Sequence, residues 1–345
     1  MEPIKSQFEA FLKHKMPEAA KIVVNSVARL SGGASRETSI MQVAWEQAGE
    51  ARQRGMVVRR EQQSLVADSR SEAEYRVNEA FFKAGLPVPE TLFLERDSRW
   101  LDKPFTVTAE VSNCSIAPAG HPDPFGPNAG KIGEQFYTIL GNIAAQDPAQ
   151  LGLLDVMESV APAETWKREL DYWSKVVDEN SFEPEPIVLT AIRWLKRNPP
   201  PPAQKISIVH GDYRGANILY NTQGEIKAIL DLEMTHLGDP LEDLAWAFDP
   251  LWAPTCPERP GSMIEKDKAV SFWEKASGLK VDPAALRWWE LFSHVKGMAI
   301  WISARKAYFS GANNDPVLVG AAWSTSQLHM RVIADKLLGL FEERA

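Results

Sequence analysis

The stretch Ile208-Val-His-Gly-Asp-Tyr-Arg-Gly-Ala-Asn-Ile-Leu219, followed from Ile229 by Leu-Asp-Leu-Glu-Met234, decides how the chain is read. It places Asp212, Asn217 and Asp231 at the ends of two short apolar runs with strand character. Phosphoryl transfer needs a base for the attacking hydroxyl and oxygen ligands for magnesium, and two carboxylates with an amide supply them. In that chemistry Asp212 accepts the hydroxyl proton, while Asn217 and Asp231 hold the metal. Alone, Asp212 to Asn217 would serve equally as an Asx-turn, since Asp, Gly and Asn all favour loops. Asp231 shifts the balance. It lies fourteen residues beyond Asn217, a spacing that lets a hairpin bring both to one metal.

The neighbours of this trio each have two readings. Arg214 either neutralises the transferring phosphate or pairs with an acidic neighbour. Glu233 either assists at the metal or is solvated. Asp239, before Pro240, suits a helix cap better than a catalytic role. His210 fits a hydrogen-bonded core residue better than a proton shuttle. The seven tryptophans from Trp246 to Trp323 read mainly as core, with one or two left to line an acceptor pocket.

Upstream, the periodicity predicts a helix over 4–16, strands over 22–30, 37–45 and 56–60, a helix over 71–84, and strands over 91–95 and 105–111. Ser31-Gly-Gly-Ala-Ser35 is then a turn between two strands. Backbone N–H groups at Gly32 and Gly33, with the Ser35 hydroxyl, would cover the phosphates of ATP. Val57-Val-Arg-Arg60 sets Arg59 and Arg60 on opposite faces of the third strand, so only one of them enters a cleft. Arg59 is the better placed, with a guanidinium fork suited to phosphate and Glu74 on the following helix to hold it. An exposed arginine pair and an exposed glutamate are the plainer alternative.

After Val111 the texture becomes helical, over 131–145, 162–178, 186–197, 241–250, 264–277, 283–309 and 316–342. Asn198-Pro-Pro-Pro-Pro202 reads as a stiff connector into the motif strand. The expected architecture is α+β: a small β-rich part over 1–111 and a helical part over 112–345, with the chemistry on a hairpin between them.

Bulk properties narrow the partners. With 345 residues, 44% hydrophobic and 24% charged, the chain can form two cored lobes. A net charge of -8 argues against nucleic acid as a main partner. Cys114 and Cys256 lack metal spacing and read as free thiols. No apolar run reaches membrane-span length and no secretory h-region is visible, so a cytoplasmic protein is expected. Only seven residues separate Asp231 from Asp239, leaving no long activation segment to bind a peptide. A small-molecule acceptor is expected rather than a protein.

In combination, Leu30-Ser-Gly-Gly-Ala-Ser-Arg-Glu-Thr38, Val57–Arg60, Glu74-Tyr-Arg-Val77, Gly85-Leu-Pro-Val-Pro89, His210–Leu219 and Leu230–Ala245 resemble the aminoglycoside phosphotransferase/choline kinase-like superfamily. The branch most similar is that of the kinase domains fused to some acyl-CoA dehydrogenases. The resemblance implies a bilobal protein-kinase-like fold, ATP and magnesium, with Asp212 as base, Asn217 and Asp231 as metal ligands, and Arg59–Glu74 as the phosphate anchor. It also implies adenine at the lobe hinge, near Glu110 to Ser112.

Three positions depart from the family pattern: Leu232 replaces a tryptophan, Ala144 replaces a histidine, and the Ala117–Pro127 loop carries four prolines. The family's acceptors include aminoglycosides, choline-like amines and, by branch, hydroxyacyl-CoA thioesters. Nine Asp/Glu against three Lys/Arg over 210–260 would suit a cationic acceptor. Branch resemblance favours a hydroxyacyl-CoA or another metabolic alcohol. A silent nucleotide-binding scaffold would be expected to have lost one of Asp212, Asn217 and Asp231, and all three are present.

Overall fold

A computed structural model describes residues 2–30, 36–61, 67–118 and 121–342. The turn residues Gly32, Gly33 and Ser35 lie outside the described residues. Two compact units emerge, and the chain passes between them several times. The first comprises Met1–Ile116, Ala149–Met157 and Ile218–Thr235; the second comprises Ala117–Pro148, Glu158–Asn217 and His236–Ala345.

In the first unit, helix α1 (Glu2–Lys15) precedes β1 (Ala19–Leu30), β2 (Arg36–Gln47) and β3 (Glu50–Glu61); helix α2 (Ala67–Lys83) precedes β4 (Thr91–Glu95) and β5 (Phe105–Ala109). The five strands form one antiparallel sheet in the order β1-β2-β3-β5-β4. Strand β3 is longer than the run 56–60 predicts, because the charged segment before Gly55 is part of it. Ala48 and Gly49 both take positive φ, 52° and 81°, and join Gln47 to its partner Glu50. That two-residue turn matches the strand twist, so the hairpin extends into solvent where charged residues cost nothing. Phe8, Phe11 and Leu12 of α1 pack against Ile22, Val24, Met41, Val43, Met56, Val58, Phe105 and Val107 of the sheet. Burial of this apolar face, at about 25 cal/mol per Å², stabilises the unit.

The hairpin of β7 (Ile218–Tyr220) and β8 (Ile226–Ile229) belongs to the same unit. Tyr220 bridges Ser115, and the Ile229 N–H donates to the Pro87 carbonyl at 2.7 Å.

The second unit holds α3 (Ala129–Ala145), α4 (Thr165–Asn180), α5 (Pro186–Arg197), α6 (Leu241–Ala247), α7 (Lys266–Ser277), α8 (Pro283–Phe309) and α9 (Pro316–Glu342). Its strands β6 (Ser207–Val209) and β9 (His236–Gly238) pair antiparallel. The predicted helices stand within a few residues, except that α6 stops at Ala247 and gives way to a short 3-10 turn over Pro250–Trp252. Asp249 caps that turn, its carboxylate accepting from the Leu251 N–H. Strand β9 is absent from the sequence reading; three residues are too short to show alternation. Among the described residues no helix is long and apolar enough to cross a membrane.

Candidate active site

The catalytic-type loop follows β6 in the second unit. Gly211 has φ of 84°, a conformation that favours glycine and turns the chain sharply after His210. Asp243 of α6 clamps this turn: its carboxylate accepts from the N–H of His210 at 2.6 Å and of Gly211 at 2.9 Å. His210 is buried, and its Nδ1 accepts from the Asp212 N–H at 3.2 Å, in keeping with a hydrogen-bonded core residue. Tyr213, buried beside it, donates its hydroxyl to the Phe136 carbonyl.

Asp212 is thereby presented on a rigid turn, and three donors surround its carboxylate. Trp246 Nε1 donates to Oδ1 at 2.9 Å, Asn217 Nδ2 donates to Oδ2 at 2.8 Å, and Arg214 Nε reaches both oxygens at 3.0 Å. Arg214 thus pairs with Asp212, while its guanidinium lies 5.1 Å from the centre of the Trp252 ring. Trp252 Nε1 donates to the Trp246 carbonyl, closing the cage. Asn217 Nδ2 also donates to the Asp212 carbonyl, which turns the amide oxygen the other way. An amide oxygen so directed is a suitable donor for a hard cation.

In the first unit, Arg59 lies on the face of β3 opposite Met56 and Val58, which are buried in the core. Its Nη1 donates to Glu74 of α2 at 2.7 Å and its Nη2 to Asp231 Oδ1 at 3.2 Å. Burial works against its charge, but Glu74, Asp231 and Glu233 outweigh that and raise its pKa. Arg60, on the other face, donates to Glu37 and to the Leu101 carbonyl. Alternation along β3 therefore separates the two arginines as expected. Asp231 has φ of 68° and ψ of 58°, a left-handed conformation that aspartate tolerates better than most residues.

Glu110 follows β5. Its N–H donates to the Gly55 carbonyl, and its carboxylate accepts from Gln42 Nε2 at 2.6 Å. A Cβ at Gly55 would stand 2.8 Å from Glu110 Cβ, an atom fixed by the backbone, so the close approach favours glycine. Ser112 is exposed. The trio of the opening motif is thus divided between the units, Asp212 and Asn217 in one and Asp231, with Arg59 and Glu74, in the other.

Two further buried clusters in the second unit carry histidines. Asp249 accepts from His294 Nδ1 at 3.0 Å and His329 Nε2 at 3.1 Å, and all three are buried. Burial opposes ionisation of Asp249, yet the two imidazoles hold its pKa well below the usual carboxylate range. Trp301 Nε1–H donates to His329 Nδ1 at 3.1 Å. That bond keeps the His329 proton on Nε2, facing Asp249, where a metal ligand would need a lone pair. The cluster is a structural tie among the Pro250 turn, α8 and α9. In the second cluster His236 Nε2 lies 3.1 Å from Glu242 and 3.5 Å from Glu169. Asp239, beside Pro240, accepts from the Leu241 N–H and from Trp289 Nε1, as a capping residue does.

Residues 27–279 match the family model described as the phosphotransferase enzyme family. The chain belongs to that family. The chain is 30% identical over 183 residues to acyl-CoA dehydrogenase family member 11 of Gallus gallus, covering 53% of the chain but only 23% of that protein. It also resembles a Ralstonia eutropha protein provisionally named an aminoglycoside phosphotransferase. The TM-score is 0.73 at 20% identity, with 96% of this chain and 97% of that one covered. For aminoglycoside 2'-phosphotransferase-IIIa, solved as a GDP complex, the TM-score is 0.59 at 14% identity, with 95% and 98% covered. The chain therefore has the kinase-like fold of these solved structures, with a small β-rich unit and a larger helical one.

Three residues around Asp212 do not stand out in the sequence: Trp246, Trp252 and Lys296. In the sequence Trp246 and Trp252 read with the other tryptophans as mainly core, although Trp246 lies only three positions after the clamp residue Asp243. Lys296 was not singled out. Its signal is a lysine at the centre of the apolar stretch Leu291–Ile302, which a solvated charge would not occupy.

Proposed function

We propose that the protein is a phosphotransferase that moves the terminal phosphoryl group of ATP, with magnesium, onto a hydroxyl of a small molecule. The observation that carries the reading is the caged Asp212 carboxylate, a single acid oriented by Trp246, Asn217 and Arg214 at the tip of a clamped turn. A carboxylate held in this way can accept a hydroxyl proton as the oxygen attacks phosphorus.

Asn217 and Asp231 would hold the metal, and an amide oxygen with a carboxylate is a donor set suited to magnesium. Bound there, the ion would offset the negative charge of the phosphates. Arg59, kept protonated and tethered by Glu74, would receive a phosphate oxygen in place of Asp231. Arg214 must leave at least one lone pair of Asp212 for the acceptor. Stacked on Trp252, it would then face the transferring group. Gly32, Gly33 and Ser35 would cover the phosphates, and the backbone from Glu110 to Ser112 would receive the base of the nucleotide.

For the acceptor, a hydroxyacyl-CoA or another metabolic alcohol is favoured over an aminoglycoside or a choline-like amine. Four of the nine acids over 210–260 are internal: Asp239, Glu242, Asp243 and Asp249 are all buried and hydrogen-bonded. They are not available to a polycationic substrate. The cation beside Asp212, Arg214 on its indole, suits an anionic or neutral acceptor better. The likeness to acyl-CoA dehydrogenase family member 11 supports the same choice.

The test is ADP release, with and without magnesium, across hydroxyacyl-CoAs, amino-alcohols and aminoglycosides. Magnesium-dependent release with a hydroxyacyl-CoA is expected. Nucleotide binding without release for any acceptor would favour the silent scaffold.

A further inference from the structure

Lys296 lies at the middle of α8 with 1% of its surface exposed. An ammonium has three protons to place. Nζ donates to the Gly211 carbonyl at 2.6 Å and to Glu242 Oε1 at 2.9 Å. The charge also faces two indoles, its Nζ lying 5.1 Å from the ring centre of Trp246 and 5.7 Å from that of Trp173. Two of these contacts lead to Asp212 in one step. Gly211 is the residue before it, and Trp246 donates to its Oδ1. Glu242 is in turn braced by His236.

Burying this charge is expensive, and an apolar residue of similar size in its place is often neutral or stabilising once the partner charge is removed too. The fold of α8 does not require a lysine, because the surrounding stretch is packed apolar helix. What the lysine supplies is a fixed point, with charge-assisted bonds, for a carbonyl and a ring that both touch the base.

We infer that Lys296 is a positioning residue for phosphoryl transfer, fixing the Gly211–Asp212 peptide and the Trp246 indole and hence the aim of the Asp212 carboxylate. This rests on the reading of Asp212 as the base. Misplacing a reacting group by about 1 Å can cost roughly 100-fold in rate. The lysine acts through Gly211 and Trp246 and is itself buried, so its loss should fall on kcat rather than on ATP affinity.

The experiment compares wild type, Lys296→Met and the paired variant Glu242→Gln/Lys296→Met, which removes both charges together. Magnesium-ATP affinity is measured by calorimetry, thermal stability by melting, and ADP release with water or the best acceptor as phosphoryl receiver, per nucleotide-binding site. The paired variant should melt within a few degrees of wild type and bind ATP with unchanged affinity, yet release ADP roughly 100-fold more slowly. Recovery of the full rate along with stability would overturn the proposal, as would equal losses of ATP affinity and rate. A wild type that binds ATP but releases no ADP would overturn the phosphotransfer reading as well. An active wild type matched by the paired variant overturns the lysine's role alone.

Discussion

Trp246 Nε1 donates to Oδ1 of Asp212 across 2.9 Å, so the single acid of the catalytic-type loop is oriented by an indole from the helix that also clamps the loop. Asp243 and Trp246 sit three positions apart on α6, adjacent on one helical face. Trp246→Phe keeps the packing and removes the donor. The expected result is a loss of about tenfold to 100-fold in kcat, with KM for ATP nearly unchanged. Steady-state kinetics with varied ATP would show it; a pure KM effect would speak against an orienting indole.

Arg59 and Glu74 should behave as one unit toward nucleotide. Arg59→Ala is expected to weaken ATP binding by about tenfold to 100-fold, and Glu74→Ala by somewhat less. Calorimetry of the two single variants and the double variant checks this. Additive effects would mean that the 2.7 Å ion pair does not serve the phosphate.

Much of this was legible in the sequence where the interactions are local. Asp212, Asn217 and Arg214 lie within one turn of chain, so spacing alone brings their side chains together. The separation of Arg59 from Arg60 follows from strand alternation, and the pairing of Arg59 with Glu74 from strand followed by helix. Long-range partners left no such trace. Lys296 meets Gly211 across 85 positions, and β9 meets β6 through three residues a side. The length of β3 was hidden by its charges, which sit on a solvent-exposed hairpin end where polarity carries no information about the backbone.

His236 supplies a pH dependence of stability. Burial disfavours its charge, but Glu242 and Glu169 override that and raise its pKa to about 9. A raised folded-state value means the contribution is complete below the unfolded pKa, about 6.5, and is lost as pH climbs through about 9. Melting temperature should drop by roughly 3–6 °C between pH 6.5 and 9.5 from this group. His236→Gln should flatten the dependence; an unchanged slope in that variant would place its origin elsewhere.

Asp249 is the shared acceptor for His294, His329 and the Leu251 N–H. Asp249→Ala leaves three donors without this acceptor, two of them on buried histidines, and should cost about 3 kcal/mol or more of stability. Urea denaturation of the variant measures the loss. A cost below about 1 kcal/mol would mean the cluster relaxes freely.

The most direct measurement is phosphoryl transfer by Asp212→Asn, read beside ATP binding in the same preparation. Asparagine keeps the shape and an acceptor oxygen for Trp246, but it cannot take the hydroxyl proton. Transfer should fall by about 100-fold or more while magnesium-ATP affinity stays within a few-fold of wild type. Transfer at the wild-type rate would contradict the assignment of Asp212 as the base.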